Sequence, residues 1–290
     1  MNYINSNISW LGKIPGKWHI KKLKYLCNIN TGSKDTQDKT DVGIYPFFVR
    51  SPVIERLNEY THDEEAVMTA GDGVGVGKVF HHFNGKFAAH QRVYVFTNFK
   101  GVLGKYIYYY LSANLGFEVL NGGAKSTVDS LRRPMLSEFP VTVPTINEQK
   151  VIINVLNRKL CEIKSLIDDK EQMIHLLEDK RQTLITEAVT KGINPIVKMK
   201  DSGVQWIGEI PEHWNVIALK RLSKRIEVGI AEAATHAYRD FGVPIIRSTN
   251  IKNGKINQEN LLYIDEGFAE KNRSKFIFKN DLLTVRTGNA

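Results

Sequence analysis

The spacing of apolar positions changes character at Ile146. From there to Val189 the chain has no proline and no glycine, and its apolar side chains recur at alternating intervals of three and four. One set of seam positions holds Ile153, Leu160, Ile167, Ile174, Arg181 and Ala188, and the other holds Leu156, Ile163, Lys170, Leu177 and Leu184. Nine of these eleven are apolar, which is the heptad seam of a coiled coil and not the wider face of a globular helix. Thr145 and Glu148 supply a Thr-x-x-Glu capping box at its start, and Gly192 with Pro195 supplies the stop. The pattern predicts one helix over residues 146–191, about 65 Å long at ~1.5 Å per residue. Each Leu or Ile left exposed on the seam forgoes about 1.5–3 kcal/mol of burial, so the seam requires a mate. Residues 191–290 offer no second such stretch, being interrupted by Pro195, Gly203, Pro211, Gly229, Pro244 and Gly254. The mate is therefore another molecule or a segment of a longer chain. Lys170 and Arg181 read as side chains that lay their stems along the seam and keep their charges in water.

On either side of this helix the pattern breaks into short runs. Tyr45–Arg50, Val76–His81 and Arg92–Phe96 read as strands and Leu103–Ala113 as a helix, giving an α/β or α+β module. The two flanks are also related to each other. Ser9-Trp10-Leu11-Gly12-Lys13-Ile14-Pro15-Gly16-Lys17-Trp18 returns 196 positions later as Gln205-Trp206-Ile207-Gly208-Glu209-Ile210-Pro211-Glu212-His213-Trp214, and Leu23, Lys24 and Leu26 return as Leu219, Lys220 and Leu222. Further on, Pro46 to Ser51 is echoed by Pro244 to Ser248, and Val67 to Gly73 by Leu282 to Gly288. This order implies a first module over 1–145, the long helix over 146–191, a linker over 192–204 and a second, incomplete copy over 205–290.

Charge separates the parts. Residues 1–145 carry 17 Lys and Arg against 12 Asp and Glu, residues 146–190 carry 7 against 8, and residues 191–290 carry 16 against 11, so the positive excess sits in the repeated modules and not in the middle. A basic surface concentrates polyanions, which favours double-stranded DNA or RNA as a partner; a basic surface without that purpose is the alternative. Loops on a rigid scaffold carry recognition residues. The loop-borne candidates are Lys34, Lys39, Arg50, Ser51, Arg92, Lys125, Arg132, Arg133, Arg247 and Arg286. Arginine can donate two bonds to a guanine edge, and lysine or serine can hold a phosphate.

Other chemistry finds little support. Gly71-Asp72-Gly73-Val74-Gly75-Val76-Gly77-Lys78 fails as a phosphate-binding loop, because Asp72 stands where the first glycine belongs and Val79 follows the lysine. It reads instead as a turn where the backbone passes close to something, for instance a DNA backbone. His81, His82 and His90 lack the spacing of a zinc protease, and adjacent His81 and His82 would face opposite sides of a strand. Cys27 and Cys161 match no metal or disulfide spacing and are expected as free thiols. The first twenty residues lack a signal-peptide pattern and no apolar run is long enough to span a membrane, so the cytoplasm is the expected location.

The repeated Trp-x-Gly-x-Ile-Pro-x-x-Trp opening, the Pro…Arg-Ser run, the glycine turn, and Pro144-Thr145-Ile146-Asn147-Glu148-Gln149 leading into a helix that closes with Arg181 to Thr190 together resemble the DNA specificity subunits of type I restriction-modification systems. The resemblance implies target recognition domains that each read half of a bipartite DNA sequence. They would be separated by coiled-coil helices that set the spacing and dock methyltransferase subunits and a restriction/translocase subunit. It implies a non-catalytic chain that binds no cofactor itself, with S-adenosylmethionine, ATP and Mg used by the partner subunits. In such a subunit a C-terminal helix is the antiparallel mate of residues 146–190; its absence here leaves self-association through the seam open. Two other readings are an enzyme holding a nucleotide on the glycine turn and a coiled-coil scaffold whose modules bind protein.

Overall fold

A computed structural model describes residues 2–121, 130–230, 234–252 and 254–285. They fall into two units, Met1–Leu177 and Glu178–Ala290. Of the residues singled out from the sequence, Lys125 and Arg286 lie outside the described residues.

The first unit holds strands β1 (Tyr3–Asn5), β2 (Lys13–Pro15), β3 (His19–Lys22), β4 (Asn28–Thr31), β5 (Tyr45–Phe48), β6 (Ile54–Leu57), β7 (His62–Ala70), β8 (Phe80–Ala89), β9 (Val93–Thr97) and β10 (Pro140–Val143), with helices α1 (Gly104–Asn121) and α2 (Arg133–Glu138) and most of α3 (Ile146–Lys191). Six strands make one sheet in the order β4-β9-β7-β8-β5-β6, antiparallel except where β5 runs parallel to β8. On one face Val67 and Phe96 meet Ile107, Leu111 and Leu115 of α1, all fully or almost fully buried. On the other, Ala66, Met68 and Val95 meet Phe48 and Phe87. A strand covered on both sides carries an unbroken apolar run, as Ala66-Val67-Met68 does.

Two local expectations need correction. Residues 76–79 are not strand: Lys78 and Val79 donate backbone bonds to Gly75 (3.1 and 2.9 Å), Gly77 has φ +66°, and the strand starts at Phe80. The helix read over 103–113 runs from Gly104 to Asn121, and Leu115 carries its buried stripe past Ala113.

Helix α3 is 46 residues long, with the expected cap. Thr145 donates its backbone N–H to Glu148 Oε2 (2.9 Å), and Glu148 N–H reaches Thr145 Oγ1 (3.3 Å). Trp18 Nε1 donates to the same carboxylate (3.4 Å), and the bonds from Thr145 and Trp18 hold the Glu148 carboxyl below its ordinary range. Ile153, the first seam residue, packs with Ile152 against the core of the first unit, and Leu156 is half-buried. Leu160, Ile163, Ile167, Ile174, Leu177 and Leu184 are 48–58% exposed. The helix ends at Lys191, and Gly192 follows with φ +76°.

The second unit continues with β11 (Met199–Asp201), β12 (Glu209–Pro211), α4 (Leu219–Leu222), β13 (Tyr238–Arg239), β14 (Val243–Ile245), β15 (Ile251–Lys252), β16 (Lys255–Ile256), β17 (Leu262–Ile264) and α5 (Glu266–Lys271). Strands β13, β17 and β14 form a small sheet over Ala237, Ile264 and Ala269. The stretch read as a linker belongs in part to the fold, since β11 pairs with β12.

That pairing reproduces the β1–β2 hairpin bond for bond. Tyr3 faces Pro15 as Met199 faces Pro211, and Ile14 and Ile210, at the centres of β2 and β12, are both buried. Ser6 N–H reaches Gly12 O at 2.9 Å and Ser202 N–H reaches Gly208 O at 3.0 Å. The hydroxyls of Ser6 and Ser202 each accept the backbone N–H two residues on, both at 3.2 Å. Gly12 and Gly208 have φ +64° and +69°, where a β-carbon is disfavoured. Beyond the hairpin the copies part. Leu23 and Leu26 are 0% and 1% exposed beneath Leu136, Phe139 and Val141, whereas Leu219 and Leu222 are 67% and 68% exposed.

Replacing Leu26 with Ala should therefore destabilise the first unit by about 2–5 kcal/mol, while Leu222→Ala should change stability by less than about 0.5 kcal/mol; urea denaturation of the two variants measures both. Gln149→Ala should cost about 1–3 kcal/mol or more by the same measurement. It strands the partly buried Leu103 N–H and the buried Pro144 carbonyl that the amide now satisfies at 2.8 and 2.9 Å.

Candidate nucleic-acid interface

At one end of the six-stranded sheet four connections meet. The segment after β4 bonds to the β8–β9 turn through Gln91 N–H to Lys34 O (2.8 Å). The end of β5 accepts His90 N–H at Phe48 O (2.9 Å), and the glycine turn donates Gly71 N–H to Arg92 O (2.8 Å). Lys34, Arg50 and Arg92 are thus brought to one edge by backbone bonds.

The glycines explain the closeness. A β-carbon on Gly75 would lie 2.4 Å from the carbonyl of Arg50, and one on Gly71 would lie 2.9 Å from that of Arg92. Within the free chain, then, the turn makes its close approach to the backbones of its own two arginines.

The arginine side chains converge on Asp72. Arg50 Nη1 donates to Oδ1 at 2.7 Å and Arg92 Nη1 to Oδ2 at 3.1 Å. Burial alone would raise the Asp72 carboxyl, but the two guanidinium groups outweigh it and hold the group below the usual carboxylate range. Asp72 did not stand out in the sequence. It lies 22 and 20 positions from its partners, and no spacing rule links an acid in a glycine turn to basic residues on other strands.

The other candidates have varied surroundings. Lys34 pairs with Glu59 (2.6 Å) and Lys39 with Glu55 (3.4 Å). Ser51 turns its hydroxyl back to Val53 O (3.2 Å). Arg132 is exposed at the start of α2, and Arg133 donates Nη2 to Ile29 O (2.8 Å), tying α2 to β4. Arg247, in the second unit, precedes a short helical turn; its Nε is buried with no hydrogen-bond partner among the described residues.

The three histidines go separate ways. His81 Nε2 donates to Ser51 O (3.1 Å) beside Phe48, while His82 faces Glu65 (2.9 Å) and Tyr108 on the other side of β8. His90 Nδ1 accepts Arg92 N–H (3.0 Å). Among the described residues no group of His, Cys, Asp and Glu is arranged to hold a metal ion. Cys27 and Cys161 are free thiols, and burial pushes Cys27 up to about 12. Among the same residues no helix is long and apolar enough to cross a membrane.

The sequence matches the type I restriction modification DNA specificity domain over residues 15–168, and the chain belongs to that family. Within it, the chain is 29% identical over 178 residues to the type I restriction enzyme EcoDI specificity subunit of Escherichia coli, covering 61% of this chain and 39% of that protein. It is 23% identical over 274 residues to the MjaVIII specificity subunit of Methanocaldococcus jannaschii, covering 89% of this chain and 61% of that one. The chain thus spans less than two thirds of the length of these relatives. A crystal structure of the type I restriction-modification S subunit from M. genitalium aligns at 16% identity with a TM-score of 0.44, over 66% of this chain and 54% of that one.

Burial holds both His81 and His90 below the ordinary imidazole value of 6.5; the Ser51 carbonyl opposes it at His81, and Asp35 opposes it at His90, where Arg50 and Arg92 reinforce it. The unfolded chain then takes up protons before the folded one as pH falls. Their contribution to stability is complete above pH ~6.5 and is lost as pH drops through the lowered folded values. The melting temperature of the first unit should fall from pH 7.5 to pH 5, and His81→Gln should flatten part of that slope; a pH-independent melting temperature in the unsubstituted chain contradicts the assignment.

Proposed function

We propose that this chain reads DNA sequence for a type I restriction-modification complex and contributes no catalytic group of its own. The observation that carries the reading is the match of residues 15–168 to the DNA specificity domain, a span that includes the edge bearing Lys34, Arg50 and Arg92. On this reading residues 1–145 form a target recognition domain and residues 205–290 belong to a second one. Phosphate contacts would fix register, and guanidinium groups would read base edges. S-adenosylmethionine belongs to the methyltransferase partners, and ATP and Mg to the restriction/translocase partner.

Helix α3 is the docking element on the same reading. The seam side chains from Leu160 to Leu184 are about half exposed, and a coiled-coil mate is what a heptad seam requires. The mate would be a helix of a partner subunit or of a second specificity chain.

Two measurements test the proposal. The chain with its methyltransferase partner should bind duplex DNA at low salt, with log affinity falling linearly against log salt through counterion release; no affinity under those conditions overturns it. Substituting both Ile167 and Ile174 with Glu should abolish co-purification with the methyltransferase while the circular dichroism of the specificity chain is retained, and undiminished co-purification overturns the docking role of α3.

A further inference from the structure

We propose that Asp72 is a positioning residue for sequence reading: its carboxylate sets Arg50 and Arg92 side by side as one recognition element. The inference rests on the DNA-reading function proposed above and concerns how that site is organised.

Three features support it. The carboxylate is held from its own backbone. Gly71 N–H bonds to Arg92 O, Leu131 N–H bonds to Gly71 O (both 2.8 Å), and Asp72 itself bridges to Ser130. The backbones of its partners are fixed by the same turn. Arg92 is held at its N–H by His90 and at its carbonyl by Gly71, and the Arg50 carbonyl leaves no space for a side chain at Gly75. Asp72 and Arg92 are therefore held at the main chain, the Arg50 carbonyl is packed against Gly75, and the carboxylate narrows the directions open to the two side chains.

Each guanidinium also spends only one nitrogen on Asp72. Among the described residues neither makes another hydrogen bond, and the side chains are 41% and 58% exposed. Arginine has five N–H donors, so most of each fork remains open to a ligand. Two cations share one anion, which leaves the trio with a net positive charge suited to DNA. Ion pairs this exposed contribute little to stability, so fold maintenance is a weak reason for the arrangement.

The test is selection of bound duplexes from a randomised pool by the chain in complex with its methyltransferase partner, comparing wild type with Asp72→Asn, Asp72→Glu and the Arg50→Ala/Arg92→Ala pair. Asp72→Asn should keep overall DNA affinity and relax base preference by about 5- to 100-fold at a cluster of adjacent positions in one half-site. The paired arginine variant should lose preference at the same positions, and Asp72→Glu should restore part of it. Adding Asp72→Asn to the paired arginine variant should change nothing further, as expected when one residue acts through the others. An unchanged preference in Asp72→Asn, or a uniform loss of affinity across all sequences, overturns the proposal. A further change of preference in the triple variant also overturns it, because Asp72 would then read a base directly. Should wild type itself select no sequence, the DNA-reading function fails and takes this inference with it; wild-type selection with an inert Asp72→Asn sinks the inference alone.

Discussion

The carboxamide of Gln149 is the constraint on which the first unit depends. The residue is completely buried one turn into α3, and its amide is used at both ends. Oε1 accepts Leu103 N–H, and Nε2 donates to the carbonyls of Pro144 and Gly101 at 2.9 and 3.3 Å. One side chain thereby joins the start of α3 to the loop that launches α1. A buried amide left without partners is expensive, so these three bonds stand or fall together. Beside it, Trp18 and Thr145 hold Glu148 at the cap, and Ile152 and Ile153 continue the packing. The start of the long helix is therefore tied to the module by hydrogen bonds to the Gly101–Leu103 loop and to Trp18. A flexible joint at this point would decouple whatever docks on the helix from the residues at the sheet edge.

The duplicated hairpin shows which part of the module tolerates divergence. The bonds that recur are backbone bonds closed by Ser6 or Ser202 and turned by Gly12 or Gly208. Few side chains are specified: the isoleucine at the hairpin centre, the proline and the two tryptophans. In the second copy Trp214 lies against the end of α3, where a β-carbon on Gly192 would be 3.5 Å from its ring. In the first copy Trp18 bonds to the cap of the same helix. The same motif residue thus meets α3 near each of its termini, which gives a physical reason for a hairpin flanking the helix on both sides.

Much of this was legible from residues alone, and the reasons are specific. Helix α3 was clear because a heptad is a long signal, and its limits were marked by Thr145, Glu148 and Gly192. The repeat is legible from Ser9 onwards but not in its first strand, since Tyr3-Ile4-Asn5 and Met199-Lys200-Asp201 share geometry and almost no chemistry. Strand β7 gave no alternation because both its faces are covered at Ala66, Val67 and Met68. Within the candidate interface the arginines were recognisable by charge and by their loops, and Asp72 was not. Its role is created by the β5–β8 and β7–β9 pairings, which bring residues about twenty positions apart onto one edge.

Those pairings also bear on the energetics of binding. Lys34, Lys39, Arg50 and Arg92 each hold a carboxylate in the free chain, so the basic edge is partly neutralised before any ligand arrives. Exposed pairs of this kind contribute about 0–1 kcal/mol each, so Lys34 and Lys39 can exchange a carboxylate for a phosphate oxygen at little cost. The acids meanwhile limit repulsion among cations gathered at one sheet end and narrow the range of side-chain directions. Affinity and order thus come from different groups: the excess of lysine and arginine supplies long-range attraction, and the few acids among them decide where the attraction is aimed.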